Sequence, residues 1–137
     1  MLRIFLGILA GVALAFVVMM ALEMVSYVAF PPPAGLDPAD PEDVRRMVAA
    51  APLAAKAWVA FGWFVSAVAG GWLARRLSRT EWGGWVIAGL IAIGGLANVM
   101  MIPHPLWMQI AAVAAPLLGG WIVTRLPVGG SSLPDAR

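Results

Sequence analysis

Apolar residues run along the chain in four long blocks that are separated by short polar connections. The blocks cover residues 4–30, 53–74, 82–102 and 105–126. A helix needs about 20 apolar residues to cross a hydrocarbon layer about 30 Å thick, because each residue advances it by about 1.5 Å. Within the blocks only Glu23, Lys56 and Arg125 are charged. The pattern therefore predicts four membrane-spanning helices.

The longest connection, residues 31–52, carries the signals of one further helix. It begins with three consecutive prolines, which lack backbone donors and end the first span. Asp40 is a favourable N-cap and Pro41 suits the first helical position, so a short helix is predicted over residues 41–50. Its apolar positions repeat with helical spacing at Val44, Met47, Val48 and Ala51. This stripe either anchors the helix in the outer leaflet or covers a pocket as a lid.

The basic residues predict how the spans are oriented, because lysine and arginine in short connections favour the cytoplasmic side. One side of the spans carries six of them, at Arg3, Arg75, Arg76, Arg79, Arg125 and Arg137. The other side carries three, at Arg45, Arg46 and Lys56. Both termini are therefore expected in the cytoplasm. A cleaved signal peptide is the alternative for the N-terminus, but the apolar run continues well beyond the candidate cleavage site at Ala15.

Composition supports a membrane protein and excludes several kinds of site. The chain of 137 residues is 62% hydrophobic and 12% charged, whereas a soluble domain is about half apolar and a quarter charged. Cysteine is absent and there is one histidine, so we expect no disulfide, metal site or cofactor. No basic run outside the spans could bind nucleic acid, and no catalytic motif is present. The short tail, residues 127–137, leaves no room for a soluble domain.

The strongly polar residues of the spans lie at one level, in the outer third of the predicted bundle. They are Glu23, Tyr27, Lys56, Asn98, His104 and Gln109. Because ionisable groups in a span usually face the bundle interior or a water cavity, we expect these six to form an outward-opening, ligand-binding pocket.

Each polar residue also has a structural explanation. Glu23 could pair with Lys56, and Lys56 could extend its ammonium group to the interface. Asn98 and Gln109 could tie helices together by hydrogen bonds. His104 lies between two prolines and could be a turn residue.

Small residues at every fourth position give each span a face that permits close backbone contact. They are Gly7 and Gly11 in the first span, Gly62, Ser66, Gly70 and Ala74 in the second, Gly84, Ala88 and Ala92 in the third, and Ala111, Ala115 and Gly119 in the fourth. We expect these faces to build a compact bundle.

The second and fourth spans resemble each other at an offset of 49 positions. Six residues are identical, pairing Trp58 with Trp107, Gly70 with Gly119, Gly71 with Gly120, Trp72 with Trp121, Arg76 with Arg125 and Leu77 with Leu126. Either a helical hairpin was duplicated, or two spans of the same direction share interfacial tryptophans and arginine flanks. Trp63 alone lies away from the interfaces and is expected to pack inside or to face lipid.

Two strings of the sequence resemble a known group of proteins. Residues 23–33, followed by Gly35-Leu36-Asp37 and Asp40-Pro41, form the first string, and residues 101–107 form the second. With these strings the chain resembles small bacterial four-span inner-membrane proteins that have no assigned activity. The resemblance implies a bacterial inner membrane and this topology.

The sequence thus predicts an all-α integral membrane four-helix bundle with a short interfacial helix in its first outer loop. The expected function is non-enzymatic: binding of a lipid headgroup or small ligand, or service as an accessory subunit. Expected partners are membrane lipids and a larger membrane complex or a second copy of the chain. The alternative is a small transporter or proton-coupled carrier that uses Glu23.

Overall fold

The computed structural model describes residues 1–127, which contain five α-helices and no strand. The helices are α1 (Leu2–Ala29), α2 (Pro41–Ala50), α3 (Leu53–Ser78), α4 (Gly83–Met101) and α5 (Leu106–Arg125). All but α2 are long and apolar enough to span a membrane. The all-helical prediction is therefore confirmed. Of the predicted tail, residues 128–137 lie outside the described residues.

The short helix α2 begins as its sequence predicts. The Asp40 carboxylate accepts a hydrogen bond of 2.8 Å from the Glu42 backbone N–H, and Pro41 follows the cap. The Asp43 carboxylate accepts a second bond, 3.0 Å long, from the Asp37 N–H of the preceding loop. Acidic groups in this first turn also complement the positive end of the helix dipole. The loop is therefore tied to α2 by local interactions alone.

The helix α3 is the centre of the packing. It contacts α1, α4 and α5, and α4 also packs along α5, whereas α1 touches α4 only slightly. Successive long helices run antiparallel, because the start of α1 meets the end of α3 and the start of α4 meets the end of α5. The seam between α1 and α4 is consequently the open side of the bundle.

Close packing of α1 on α3 depends on small residues. A Cβ atom at Gly11 would lie 2.6 Å from the Gly70 carbonyl oxygen and 2.6 Å from the Ala74 Cβ. One at Gly70 would lie 2.5 Å from the Gly11 carbonyl oxygen. Real Cβ contacts essentially never come this close, so the two backbones touch only because side chains are missing.

Close backbone contacts at small residues also join α3, α4 and α5 at the end of the bundle opposite to α2. A Cβ at Gly120 on α5 would lie 2.7 Å from the Ala88 Cβ on α4. A Cβ at Gly71 on α3 would lie 3.3 Å from the Gly84 Cα on α4. Gly84 and Ala88 belong to the predicted face of the third span, but Gly71 and Gly120 lie outside the predicted faces. On α5 the buried residues include Ala112, Pro116 and Gly120 but not Ala111 and Ala115, so the predicted face of the fourth span is correct only at Gly119.

The helices α3 and α5 run parallel and carry the same surface feature at the predicted offset. The Arg76 guanidinium lies 5.1 Å from the ring centroid of Trp72, and that of Arg125 lies 5.1 Å from the ring centroid of Trp121. Both are cation–π contacts between residues four apart. The matched residues of α3 and α5 therefore also agree in side-chain geometry. Both a duplicated hairpin and two spans with the same interfacial flanks would give this result.

Trp63 packs in the interior, one of the two placements expected for it. Its side chain is only 5% exposed and forms an apolar cluster with Val99, Met108 and Ala112. This cluster lies where α3, α4 and α5 meet near the α2 end of the bundle. It forms a rigid apolar floor beneath the polar residues of that end.

Candidate functional site

A cavity of about 370 Å³ lies beneath α2, and we call it the α2 cavity. Its walls come from the C-terminal end of α1, the prolines that follow it, α2, the first turns of α3 and the turn between α4 and α5. Its volume falls within the range of small-molecule sites, about 300 to 1,000 Å³. The cavity exists because α2 packs closely against none of the long helices.

Four of the six predicted site residues line the α2 cavity. Glu23 and Tyr27 come from successive turns of α1, Lys56 from the first turns of α3, and His104 from the turn before α5. Residues four apart lie on one helix face, which explains why Glu23 and Tyr27, both exposed, line the cavity together. The structure therefore brings an acid, a base, a phenol and an imidazole into one space.

The roof of the α2 cavity is the apolar side of α2. Met47 and Val48 line the cavity, while Arg45 and Arg46 form ion pairs with Glu42 away from it. The predicted apolar stripe of α2 therefore faces the cavity, in the position of a lid. The same position leaves the opposite, charged side of α2 to face away from the bundle.

A second cavity of about 310 Å³ follows the open seam between α1 and α4, and we call it the α1–α4 groove. Its walls are mostly apolar, with Phe16 and Met19 from α1, Leu90 from α4 and Trp63 at its base. Asn98 lines its polar end together with Glu23. Asn98 is thus placed in the groove and not in the α2 cavity.

Glu23 lines both cavities, and among residues 1–127 it is the one lining residue that they share. The groove residues Val12, Phe16 and Met19 and the cavity residue Tyr27 lie on the same face of α1 as Glu23. Their spacings of four, three, four and four residues follow the helical repeat. One stripe of α1 therefore lines both cavities.

Gln109 lines neither cavity and instead supports the turn that carries His104. Its side-chain Nε2 donates a hydrogen bond of 3.0 Å to the His104 carbonyl oxygen. The His104 Nδ1 lies 2.6 Å from the Ile102 carbonyl oxygen. Because a carbonyl only accepts, Nδ1 carries the proton in this contact. The six predicted residues thus do not share a single hollow, since Asn98 and Gln109 lie outside the α2 cavity.

Glu23 and Lys56 line the same cavity without pairing. Among residues 1–127, every ion pair joins two residues of α2, and no nitrogen–oxygen distance between Glu23 and Lys56 falls within 4.0 Å. The ion pair between Glu23 and Lys56 that the sequence suggested is therefore not formed. Both charges remain free for a ligand. Within the same residues no group of three or more histidine or acidic side chains could hold a metal ion.

Trp58 positions the wall that bears Glu23, a role that sequence analysis missed. Its indole Nε1 donates a hydrogen bond of 2.9 Å to the Leu22 carbonyl oxygen on α1. This bond holds Leu22 against α3, and Leu22 directly precedes Glu23 in the sequence. Tryptophan is common at membrane interfaces because its ring prefers that environment, so its presence here did not indicate a hydrogen bond to α1.

Arg75 is the second residue that sequence analysis missed, because it was counted only as a flanking charge. Its side chain is 8% exposed, and Nη1 donates to the carbonyl oxygens of Val123 and Leu126 at the end of α5. Its Nε is buried without a partner. This contact lies at the end opposite to the α2 cavity and completes the C-terminus of α5.

No family model, curated protein or solved structure matches the chain. Function is therefore inferred from the chemistry of the α2 cavity and the α1–α4 groove.

Proposed function

We propose that this chain is a non-enzymatic membrane protein that binds the polar headgroup of a lipid, or a small ligand of similar chemistry, in the α2 cavity. The observation that carries the proposal is the pair of free, opposite charges, Glu23 and Lys56, in one cavity within predicted spans. Ionisable groups at membrane depth are costly and mark functional sites. A bound polar group supplies the partners that these two side chains lack.

The proposed location is the bacterial inner membrane, with both termini in the cytoplasm. The excess of arginine on the side of the termini supports this orientation, whereas the bacterial inner membrane is carried over from the sequence resemblance alone. In this orientation the α2 cavity opens toward the periplasmic leaflet. Headgroups of that leaflet would lie at the level of Tyr27, Lys56 and His104.

Binding is favoured over transport because the bundle is closed at its other end. The backbones of α1 and α3 touch at Gly11 and Gly70, and those of α3 and α4 approach closely at Gly71 and Gly84. The six strongly polar residues considered for the site lie toward the α2 end. A carrier that uses Glu23 would need a polar route through the packed end.

Native mass spectrometry of the full chain in mild detergent tests this proposal. The probe is an equimolar mixture of palmitoyl-oleoyl phosphatidylethanolamine and phosphatidylglycerol. One lipid should remain bound, and Lys56→Gln and Glu23→Gln should each raise its apparent Kd about tenfold, which corresponds to about 1.4 kcal/mol. Such a loss fits one hydrogen bond to a charged group.

The matched control is Arg45→Gln, which removes a charge from the outer side of α2 without touching the cavity. It should leave the apparent Kd within about twofold. Equal lipid binding by all four proteins would contradict the proposal. A stoichiometric copurifying protein in place of lipid would instead identify an accessory subunit, and flux in proteoliposomes that Glu23→Gln abolishes would identify a carrier.

A further inference from the structure

We infer that the ligand is a zwitterionic phospholipid whose ammonium group meets Glu23, whose phosphate meets Lys56, and whose acyl chain lies in the α1–α4 groove. This inference rests on the proposed function, since it assigns a ligand class to the same cavity. Two observations carry it: the opposite signs of the unpaired charges in the α2 cavity, and the position of Glu23 in the walls of both cavities.

The charges of the α2 cavity fit a headgroup that carries both signs. An anionic headgroup would meet Lys56 but would bring its negative charge into the same cavity as the Glu23 carboxylate. A purely cationic ligand would meet Glu23 and leave the Lys56 ammonium without a partner. A zwitterion satisfies both groups at once, and lysine is a common phosphate ligand. Tyr27 can add a neutral hydroxyl donor for the phosphate oxygens.

The α1–α4 groove fits an acyl chain that leaves such a headgroup. From Glu23 to Val12 the groove follows α1 for 11 residues, or about 16 Å, which is close to half of a hydrocarbon layer about 30 Å thick. Its walls along this course are apolar, and Glu23 and Asn98 form its polar end. An amphiphile of one leaflet therefore has the required length and polarity.

The α4 wall of the groove leaves room for a hydrocarbon chain. Gly94 forms part of the groove wall, and a Cβ atom there would meet no atom within 4 Å. A hydrocarbon chain can therefore lie directly against the α4 backbone at this point.

Blocking the groove without disturbing the headgroup cavity tests the inference. Gly94→Leu places a side chain in the open groove, and Gly89→Leu is the matched control on the same helix, about 140° away. A Cβ atom at either glycine meets no atom within 4 Å, so both variants should fold. Circular dichroism and detergent unfolding verify that the two variants are equally stable.

Lipid affinity is then measured by native mass spectrometry with one probe at a time. Palmitoyl-oleoyl phosphatidylethanolamine should bind the unmodified chain about tenfold more tightly than palmitoyl-oleoyl phosphatidylglycerol. Gly94→Leu should weaken binding of the ethanolamine lipid about tenfold, and Gly89→Leu should change it less than twofold. Glycerophosphoethanolamine, which has no acyl chain, should bind more weakly and should not respond to Gly94→Leu.

The outcomes separate this inference from the proposed function. If Lys56→Gln weakens lipid binding and Gly94→Leu does not, the headgroup site stands and the acyl-chain assignment is overturned. Equal affinity for the two phospholipids overturns the zwitterionic class alone. If neither substitution affects binding, both the inference and the proposed function fail. A lipid-free dimer that Gly94→Leu dissociates would assign the groove to a second copy of the chain.

Discussion

Replacing Gly11 with alanine should force α1 away from α3, although it adds one methyl group. The new Cβ would lie 2.6 Å from the Gly70 carbonyl oxygen, whereas ordinary contact begins at 3.4 Å. Backbone cannot rotate aside as a side chain can, so α1 must move by about 0.8 Å. A gap of this size along the seam forfeits about a quarter to a half of each dispersion contact it opens.

The expected cost of Gly11→Ala is about 1 to 3 kcal/mol of unfolding free energy, the usual range for overpacking. A gain from the better helix propensity of alanine, up to about 1 kcal/mol in water, acts in the opposite direction. Gly89→Ala isolates this gain, because a Cβ there meets no atom within 4 Å. The difference between the two variants therefore reports the clash alone.

Equilibrium unfolding of the purified protein by sodium dodecyl sulfate in mixed micelles measures this difference. Far-ultraviolet circular dichroism and tryptophan fluorescence should give coincident transitions, as a two-state comparison requires. Gly11→Ala should be less stable than Gly89→Ala by about 1 to 3 kcal/mol. Stabilities within about 0.5 kcal/mol would show that α1 and α3 do not touch at this point, and their close packing would be refuted.

Two further predictions concern the end of α5 and the topology. Arg75→Met should lower the unfolding free energy by about 1.5 to 3 kcal/mol, because the carbonyls at the end of α5 lose a charged donor. Arg76→Met, which loses only an exposed cation–π contact, should cost less than about 1 kcal/mol, and equal losses would contradict the cap. Because the chain lacks cysteine, Ala39→Cys and Glu81→Cys report topology directly. An impermeant maleimide should label intact spheroplasts only at position 39, and labelling at position 81 instead would reverse the orientation.

Helix positions were largely predictable because their signals are local. The bounds of α2 agree with the prediction, since Asp40 and Pro41 start a helix without help from the rest of the chain. The predicted second span ended at residue 74, whereas α3 continues to Ser78. In this added turn Arg75 is buried and bonds to carbonyls of the α5 end that lie 48 and 51 positions away, a contact that no local pattern shows.

The position of the site residues along the bundle axis was also predictable, but which of them share a cavity was not. Counting 1.5 Å per residue places Glu23, Lys56, Asn98 and Gln109 near one end of the bundle. The direction in which each residue points depends on how its helix is rotated against its neighbours. That rotation places Asn98 in the groove, whereas Gln109 bonds to the His104 carbonyl five residues before it, at the start of its own helix.

By itself, the sequence determined the number of long helices, their apolar character and the start of α2, because these depend on residues close together in the chain. Tertiary structure decided that α1 packs mainly against α3 and makes few contacts with α4. It also decided that Glu23 and Lys56 line one cavity without meeting. The reason is physical: in a chain with small residues on every span, many helix pairings are sterically possible, and only their competition in the folded bundle selects one.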